Sequence, residues 1–530
     1  MSQTTSRPPR VERWEIASLA LLLVVYLAVL TALARRTGVT VDEPAHIVSS
    51  ILYWEGRDNL QPQDMPPMIK IVGGWAAADA RFAVPDDNHP VWKSNHEWNI
   101  GMDMIVNMNE EQIRGSMFRA RLPMFIFPAA TIVLLWWWGR QLFSPLTGLA
   151  IAVLFAVEPT ALGHAPLYKN DHASAFGYLL FWYRAWRYWR APGLGNAAWL
   201  GVGVLAALLA KLSMILVALV APVILLRRIR TAPAALVVLA LVVWTGVAAA
   251  YQFDFGTSGI DWRPPRLAQG VRSLAANNAG GNSVYFLGDY LPRGHRAYFL
   301  LASAVKMPEV LLLLIGAGAV YALRKRRWDD WLWLIPGPLY FALASMSSLQ
   351  LGLRLVMPSL PFALLIAGCA VRRLEPGRWR WALAAVGVLL LAQNALIHPH
   401  QLSFFNTAAG GPGQAIRYLS DSNVDWGQDL RTLRGFMRQQ AIPRINLSYF
   451  GTDNVWAYFK EDEVKWVQPP YAEQDVKAPI YEPEPGYYAI SATLLTGQFF
   501  PAGYRSYYGV FRKMTPIGYA GYSIYIYRVP

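Results

Sequence analysis

The chain has 530 residues, of which 54% are hydrophobic and only 15% are charged. Soluble domains carry about 25% charged residues, so this composition excludes a typical water-soluble enzyme. The single cysteine, Cys369, excludes an intrachain disulfide and a cysteine-based zinc site. The formal net charge of +14 is compatible with nucleic acid or anionic lipid as a partner, and its distribution along the chain decides between them.

The chain contains eleven apolar segments, and most of them approach the length of about 20 residues that crosses a bilayer core. They predict a polytopic α-helical membrane protein with about 11 transmembrane helices, near 14–34, 119–139, 146–163, 171–190, 196–210, 212–227, 232–251, 298–323, 331–348, 352–372 and 379–396. The stretch 196–227 is divided at Lys211, because only a helical hairpin there leaves the arginine clusters on one face of the membrane.

The basic residues accumulate on one predicted face, in clusters at 7–13, 140, 184–190, 227–230, 324–327 and 372–380. That face holds 18 Lys and Arg residues against five acidic residues, an excess of 13 that accounts for nearly all of the net charge. Cytoplasmic loops of membrane proteins carry such an excess, so we expect the N-terminus inside and the C-terminus outside. The positive charge is then a topology signal, and no nucleic-acid partner is expected.

The chain is predicted to divide into a transmembrane module, residues 1–397, and an extracytoplasmic α/β domain, residues 398–530. Two long outer loops, 36–118 and 252–297, belong to the first. A helical stretch at 416–439 and strand-like runs at 444–450, 487–491 and 522–528 predict the mixed second domain. All eight histidines fall on the outer side of this topology.

The motif at 40–46, TVDEPAH, follows the first predicted span directly. Thr40 and Glu43 have the spacing of a capping box, and Pro44 suits a first helical turn. That structural explanation does not cover Asp42 and His46, which lie four residues apart on one helical face. A carboxylate at the membrane edge is well placed as a general base or a metal ligand, so both kinds of role stay open.

Two further outer motifs are rich in reactive side chains. The first, DMPPMIK at 64–70, ends on Lys70, although a Pro-Pro pair usually marks only a turn. The second is a tight hairpin at 163–172, which contains His164, Lys169 and Asp171. An N-cap role for Asp171 is the structural alternative there.

Three cations lie near the outer ends of predicted spans: Lys211, Lys306 and Arg354. An ionisable group in the bilayer core costs about 2.5–3.5 kcal/mol on insertion scales, so such groups usually face a cavity. Snorkelling to the interface is the alternative, and it is strongest for Lys211 at a hairpin tip. A phosphate at the outer membrane edge would account for all three.

Taken in order, these motifs resemble the GT-C superfamily of polyprenyl-phosphate-dependent glycosyltransferases. The nearest resemblance is to dolichyl-phosphate-mannose–protein mannosyltransferases and their bacterial relatives, glycosyltransferase family thirty-nine. It covers nearly the whole chain and rests on Asp42-Glu43, EPTALGHAPLYKND, LLAKLSMIL, AVKMPEVLLLL, LQLGLRLVMPSLPF, FFNTAAGGPGQAIRYLSDSNVDWGQDL and INLSYFG. One departure is Met65-Pro66-Pro67 where the family commonly has His-Pro-Pro, and a thioether cannot replace imidazole as a base or hard-metal ligand.

The resemblance implies a GT-C-like membrane enzyme that moves a sugar from a polyprenyl-phosphate-sugar donor to a protein, lipid or glycan acceptor. The reaction would take place on the outer face of a bacterial inner membrane, with inversion. Asp42 is then the general base, and Glu43 and Asp171 are further catalytic carboxylates. The donor phosphate is assigned to five cations: Lys211, Lys306, Arg354, Lys70 and Lys169. A divalent metal ion held by Asp42, His46, Asp171 and His164 is an additional expectation.

Two other classes of function stay open from the sequence. A lipid-linked glycan transporter or flippase would place charges along a path to the inner face. A third possibility is that the outer domain is a binding module on a passive membrane anchor. Release of free polyprenyl phosphate from the donor is expected only of the transferase.

Overall fold

The computed structural model describes residues 11–63, 65–227, 232–255, 264–325, 330–375, 377, 380–469 and 480–530. Asp64 and part of the predicted basic clusters, residues 7, 10, 228, 230, 326, 327 and 378, lie outside the described residues.

Most of the described chain up to His398 is helical. The helices are α1 (Arg13–Arg36), α2 (Glu43–Trp54), α3 (Met68–Asp79), α4 (Glu97–Val106), α5 (Glu110–Arg121), α6 (Ile126–Leu142), α7 (Pro145–Ala156), α8 (Pro159–His164), α9 (Asp171–Arg190), α10 (Leu194–Ala210), α11 (Ile215–Leu225), α12 (Ala232–Ala250), α13 (Pro265–Gly280), α14 (Tyr298–Lys306), α15 (Glu309–Lys325), α16 (Trp331–Leu334), α17 (Pro336–Ser345), α18 (Leu360–Leu374) and α19 (Arg380–Ile397). A small hairpin, β1 (Val284–Phe286) and β2 (Asp289–Leu291), interrupts them.

Within the described residues, four helical stretches are long and apolar enough to cross a membrane: Arg13–Arg36, Glu110–Leu142, Ala232–Ala250 and Leu353–Leu374. Each of the 11 apolar segments contains helix, which confirms the helical membrane class. The break at Lys211 is also confirmed, since that residue has an extended backbone between α10 and the next helical turn. The segment 298–323 is instead two helices, because Pro308 cannot donate the amide hydrogen bond that would continue α14.

Polar contacts join the ends of long helices at one side of the bundle. Arg140 at the end of α6 pairs with Glu15 at the start of α1 at 2.7 Å. Ser144, which caps α7, donates a hydrogen bond to Glu375 after α18 at 2.5 Å. These ends belong to the predicted cytoplasmic face, whose identity as the inner face stays a prediction. The site described below lies away from these contacts, after the end of α1 and ahead of the start of α18.

The first outer loop folds into the helices α2 to α5, which share an apolar core beside the bundle. Its centre is formed by Ile47, Ile51, Ile69, Ile100 and Met104, all buried. This small core fixes the start of α2, and therefore Asp42, relative to the spans.

The C-terminal part contains helix α20 (Leu430–Gln439), short helices α21 (Val455–Tyr458), α22 (Ala492–Thr496) and α23 (Gly509–Lys513), and a five-stranded sheet. The sheet order is β4 (Val464–Trp466), β3 (Ile445–Ser448), β5 (Gly486–Ser491), β7 (Ile524–Val529) and β6 (Gly518–Ala520). Strand β3 is parallel to β4 and β5, whereas β7 is antiparallel to β5 and β6. The three predicted strands are confirmed, but the helix predicted from 416 begins only at Leu430, after a series of short 3₁₀ turns.

Candidate active site

Asp42 lies at the start of α2, just beyond the membrane-spanning α1. Its backbone occupies the N-cap position, but its carboxylate makes no capping hydrogen bond. The carboxylate instead forms a close ion pair with the ammonium of Lys169, and Arg354 Nη2 lies 3.5 Å from its Oδ2. Its side chain is 15% exposed, so the base candidate faces charged partners and still reaches an opening.

The hairpin before α9 supplies Lys169 and Asp171. Lys169 Nζ lies 2.9 Å from His46 Nε2, in addition to its pair with Asp42. Asp171 is the first residue of α9 and is buried, with Lys211 Nζ 3.3 Å and Arg354 Nη1 3.8 Å from its carboxylate oxygens. Arg354 therefore bridges Asp42 and Asp171, while Lys169 pairs with the first carboxylate and Lys211 with the second.

Lys211 and Arg354 reach the same place because the backbone is irregular at both positions. Lys211 ends α10 in an extended conformation, and Arg354 lies in the 3₁₀ stretch Leu353–Ser359 ahead of α18. We call Asp42, Lys169, Asp171, Lys211 and Arg354 the charged cluster. It contains three cations and two carboxylates, so it carries one excess positive charge when all five groups are ionised.

The balance of these groups determines the protonation state of Asp42. Burial by itself would raise the pKa of Asp42, but the charges of Lys169 and Arg354 outweigh burial and hold the pKa below its ordinary value. Asp42 is therefore ionised. Because the two neighbouring cations lower its pKa, it is also a weaker base than an ordinary aspartate.

Three polar atoms in and around the charged cluster are buried without a hydrogen-bond partner among the described residues: His46 Nδ1, His164 Nδ1 and Asp171 Oδ2. Buried polar atoms are nearly always hydrogen-bonded, and exceptions often mark places for a ligand or water. The structure thus places His46 and His164 in and around the charged cluster.

Glu43 has a different environment from its neighbour Asp42. It is fully buried and makes a two-point ion pair with Arg121, with 2.8 Å and 2.6 Å between the paired atoms. It also accepts hydrogen bonds from both the amide and the hydroxyl of Thr40 and from the amide of Tyr168. With five donors on two oxygens, Glu43 has no free lone pair for substrate, and its geometry fits a role in holding the first loop against the hairpin.

Two of the predicted phosphate ligands lie outside the charged cluster. The ammonium of Lys306 is buried and donates to the carbonyl oxygens of Leu402, Phe404 and Asn423, which takes all three of its protons. Lys70 pairs with Asp58 at 2.7 Å, and Arg266 shares that carboxylate at 3.0 Å. The structure therefore brings Lys169, Lys211 and Arg354 together, whereas Lys306 and Lys70 lie elsewhere and have other partners.

The predicted metal site is not confirmed. No group of three or more His, Cys, Asp or Glu side chains is arranged to hold a metal ion in the described ranges. Between Asp42 and His46 lies the ammonium of Lys169, which already supplies a positive charge to both. A divalent ion between these two ligands would have to displace that ammonium.

Two site residues were missed by sequence reasoning, and both come from the C-terminal part. The ring of Trp426 lies under the guanidinium of Arg354, with 4.3 Å from Cζ to the ring centre, and 5.0 Å from Lys169 Nζ. Ser422 Oγ accepts a hydrogen bond from Arg354 Nε at 3.1 Å. The only available signal was the dense run of polar and aromatic residues in DSNVDWGQD, to which no role was assigned.

Fold and site together define a helical membrane protein with a buried, cation-rich cluster at one end of its helices. No protein-family model matches the chain, and no curated protein matches it by sequence. Among solved structures, the chain is similar to ArnT from Cupriavidus metallidurans bound to undecaprenyl phosphate, with a TM-score of 0.49 and 13% identity over 97% of each chain. It is also similar to the archaeal oligosaccharyltransferase AglB from Archaeoglobus fulgidus in complex with an inhibitory peptide and a dolichol-phosphate. In that comparison the TM-score is 0.43, with 12% identity over 72% of this chain and 54% of AglB.

Proposed function

We propose that the chain is an integral membrane glycosyltransferase that uses a polyprenyl-phosphate-sugar donor and acts at the outer face of the membrane. The observation that carries this proposal is the charged cluster, in which two carboxylates are interleaved with three cations at the membrane edge. The sequence resemblance to the GT-C superfamily points in the same direction. The acceptor would be a protein, lipid or glycan hydroxyl.

The cations suit the phosphate of such a donor. The sugar donor is a phosphodiester with one negative charge, and the cluster has one excess positive charge to receive it. When the bond between sugar and phosphate breaks, the leaving phosphate gains a second negative charge. Fixed cations in a water-poor site stabilise that developing charge without reorganisation, which is the general basis of electrostatic catalysis. Arg354 and Lys211, which approach from different helices, are the best placed to hold the two sides of the phosphate.

Asp42 would act as the general base. The acceptor oxygen attacks the anomeric carbon, its proton passes to Asp42, and the electrons of the breaking carbon–oxygen bond pass to the phosphate. Positioned bases contribute about 10²–10⁴-fold to such reactions. Because no covalent intermediate is needed, direct attack from the side opposite the phosphate would invert the anomeric centre.

Donor binding would also activate this base. In the structure, Lys169 and Arg354 hold the pKa of Asp42 down. A phosphate that attracts both cations would relieve Asp42 of part of their charge and would raise its basicity when an acceptor can be used.

The test is release of free polyprenyl phosphate from a donor labelled in its sugar, with purified full-length protein in detergent and a range of acceptors. A glycosyltransferase releases polyprenyl phosphate and labels the acceptor, and the Asp42→Asn variant does so at least about 100-fold more slowly. Movement of intact donor across a vesicle membrane, with no release of polyprenyl phosphate, would instead identify a flippase.

A further inference from the structure

A short segment of the C-terminal part reaches back to the membrane edge and touches the charged cluster on several sides. We call residues 421–428, DSNVDWGQ, the tryptophan loop. Its central residue Trp426 is buried, with 2% of its surface exposed. The loop lies between the helical bundle and the sheet.

Side chains of the tryptophan loop bind the cations of the cluster. Trp426 offers its ring to Arg354 and Lys169, at 4.3 Å and 5.0 Å, and packs edge-on against His164 with 5.5 Å between ring centres. Ser422 fixes the guanidinium of Arg354 through its Nε at 3.1 Å. A cation over an indole ring is attracted electrostatically to the ring face. A guanidinium that contacts a ring with its face and a hydroxyl with its Nε is restricted to few orientations.

The backbone of the same loop binds the segment that leads to the base. The amide of Val41, the residue before Asp42, donates to the carbonyl of Trp426 at 2.9 Å. The amide of Gly38 donates to the carbonyl of Gln428, also at 2.9 Å. The two chains approach so closely that a Cβ on Gly38 would lie 2.7 Å from that carbonyl oxygen, which explains the glycine.

The loop is itself anchored from both ends. The buried Lys306 draws the carbonyl of Asn423 together with those of Leu402 and Phe404. The side-chain oxygen of Asn423 accepts from the amide of Leu353, the neighbour of Arg354, at 3.0 Å. At the other end, Asp425 accepts from the amides of Gly427 and Thr493 at 3.1 Å and 3.0 Å. These contacts give the loop a fixed place beside the cluster.

We infer that Trp426 and Ser422 are positioning residues, through which the C-terminal part completes the donor-phosphate site by holding Arg354 and Lys169 in place. This inference rests on the proposed function, because it takes the phosphate of a polyprenyl carrier as the ligand of those cations. It gives the C-terminal part a role in the reaction itself.

The experiment measures the affinity of the full-length protein for a short-chain polyprenyl phosphate by calorimetry, beside donor turnover and the thermal unfolding midpoint. Trp426→Leu removes the ring under both cations and should weaken the affinity by roughly 10-fold. Trp426→Phe keeps an aromatic face and should recover part of that loss. Ser422→Ala removes one hydrogen bond to the guanidinium and should cost roughly threefold to tenfold. Trp456→Leu, at an indole of the C-terminal part that is 46% exposed, is the matched control and should change neither the affinity nor the turnover.

A double-mutant cycle separates positioning from simple packing. Ser422→Ala should cause little further loss of affinity in an Arg354→Gln background, because the group on which it acts is already absent. A full further loss there would overturn the inference. It would equally be overturned if Trp426→Leu lowered the unfolding midpoint while the folded protein bound polyprenyl phosphate with unchanged affinity.

The same data distinguish this inference from the proposed function. A wild-type protein that binds polyprenyl phosphate but transfers no sugar would refute the transferase. If Trp426→Leu still weakened binding in that case, the positioning role would stand.

Discussion

Replacement of Asp42 by Asn separates the chemical role of this carboxylate from its electrostatic role in binding. The amide keeps nearly the same shape and can still accept a hydrogen bond from Lys169, but it cannot take a proton from the acceptor. Loss of a positioned base lowers turnover by about 10²–10⁴-fold. We therefore expect kcat to fall by at least about 100-fold.

The same change should strengthen donor binding. With Asp42 neutral, the excess positive charge of the cluster rises from one to two. A carboxylate and a phosphate ~8 Å apart repel each other by roughly 2 kcal/mol at an effective dielectric constant of about 20. Asp42 is 15% exposed, so water screens part of this repulsion. An increase in donor affinity of roughly fivefold is the expected result, opposite in sign to the change in kcat.

The assay combines turnover of purified protein with calorimetric titration of the donor. Asp87→Asn, in the same outer loop but with a side chain that is 77% exposed, is the control and should change neither value. Near-wild-type turnover in Asp42→Asn would refute the assignment and make Asp171 the leading candidate for the base. Weaker donor binding would refute the charge argument alone.

Three further predictions follow from the buried ion pairs and carboxyls. Arg354→Gln should weaken polyprenyl-phosphate binding by roughly 10-fold or more in calorimetry, and Arg354→Lys should restore it only partly, because an ammonium lacks the planar fork. Glu43→Gln leaves Arg121 without its buried partner and should lower the free energy of unfolding by about 3–5 kcal/mol, seen in denaturant titrations. Burial raises the pKa of Asp453 to about 7, so its contribution to stability falls as pH rises from about 4 to about 7. In thermal unfolding across that range, the unfolding midpoint of Asp453→Asn should fall less with rising pH than that of the wild type. An equal fall in both proteins would contradict the raised pKa of Asp453.

The sequence predicted the features that depend on local pattern. Apolar segments marked the helices, and the charge distribution located the break at Lys211, because both follow from the cost of placing polar groups in a bilayer. Three strands of the C-terminal sheet were found from their alternation. The short strands β4 and β6 were missed, since three residues carry too little periodicity.

The site was predicted only in part, because the residues that form it are distant in sequence and meet only in the folded chain. Lys306 and Arg354 look alike in sequence, as cations near the outer ends of spans. In the structure Lys306 donates hydrogen bonds to three carbonyl oxygens, whereas Arg354 pairs with Asp42 and Asp171. The difference arises from where the C-terminal part docks, and local pattern does not encode that. For the same reason Trp426 and Ser422 could not be assigned before the structure.

The three carbonyls around Lys306 have a consequence for the synthesis of the protein. Two of them, from Leu402 and Phe404, follow shortly after the last span, and the third, from Asn423, lies in the tryptophan loop. While the chain is still emerging, this ammonium lies near the bilayer without these hydrogen-bond acceptors, and Arg354 still lacks Ser422 and Trp426. Arrival of the loop supplies both sets of contacts and completes the surroundings of Asp42 in one event. A ribosome-bound chain should therefore acquire its site late and abruptly.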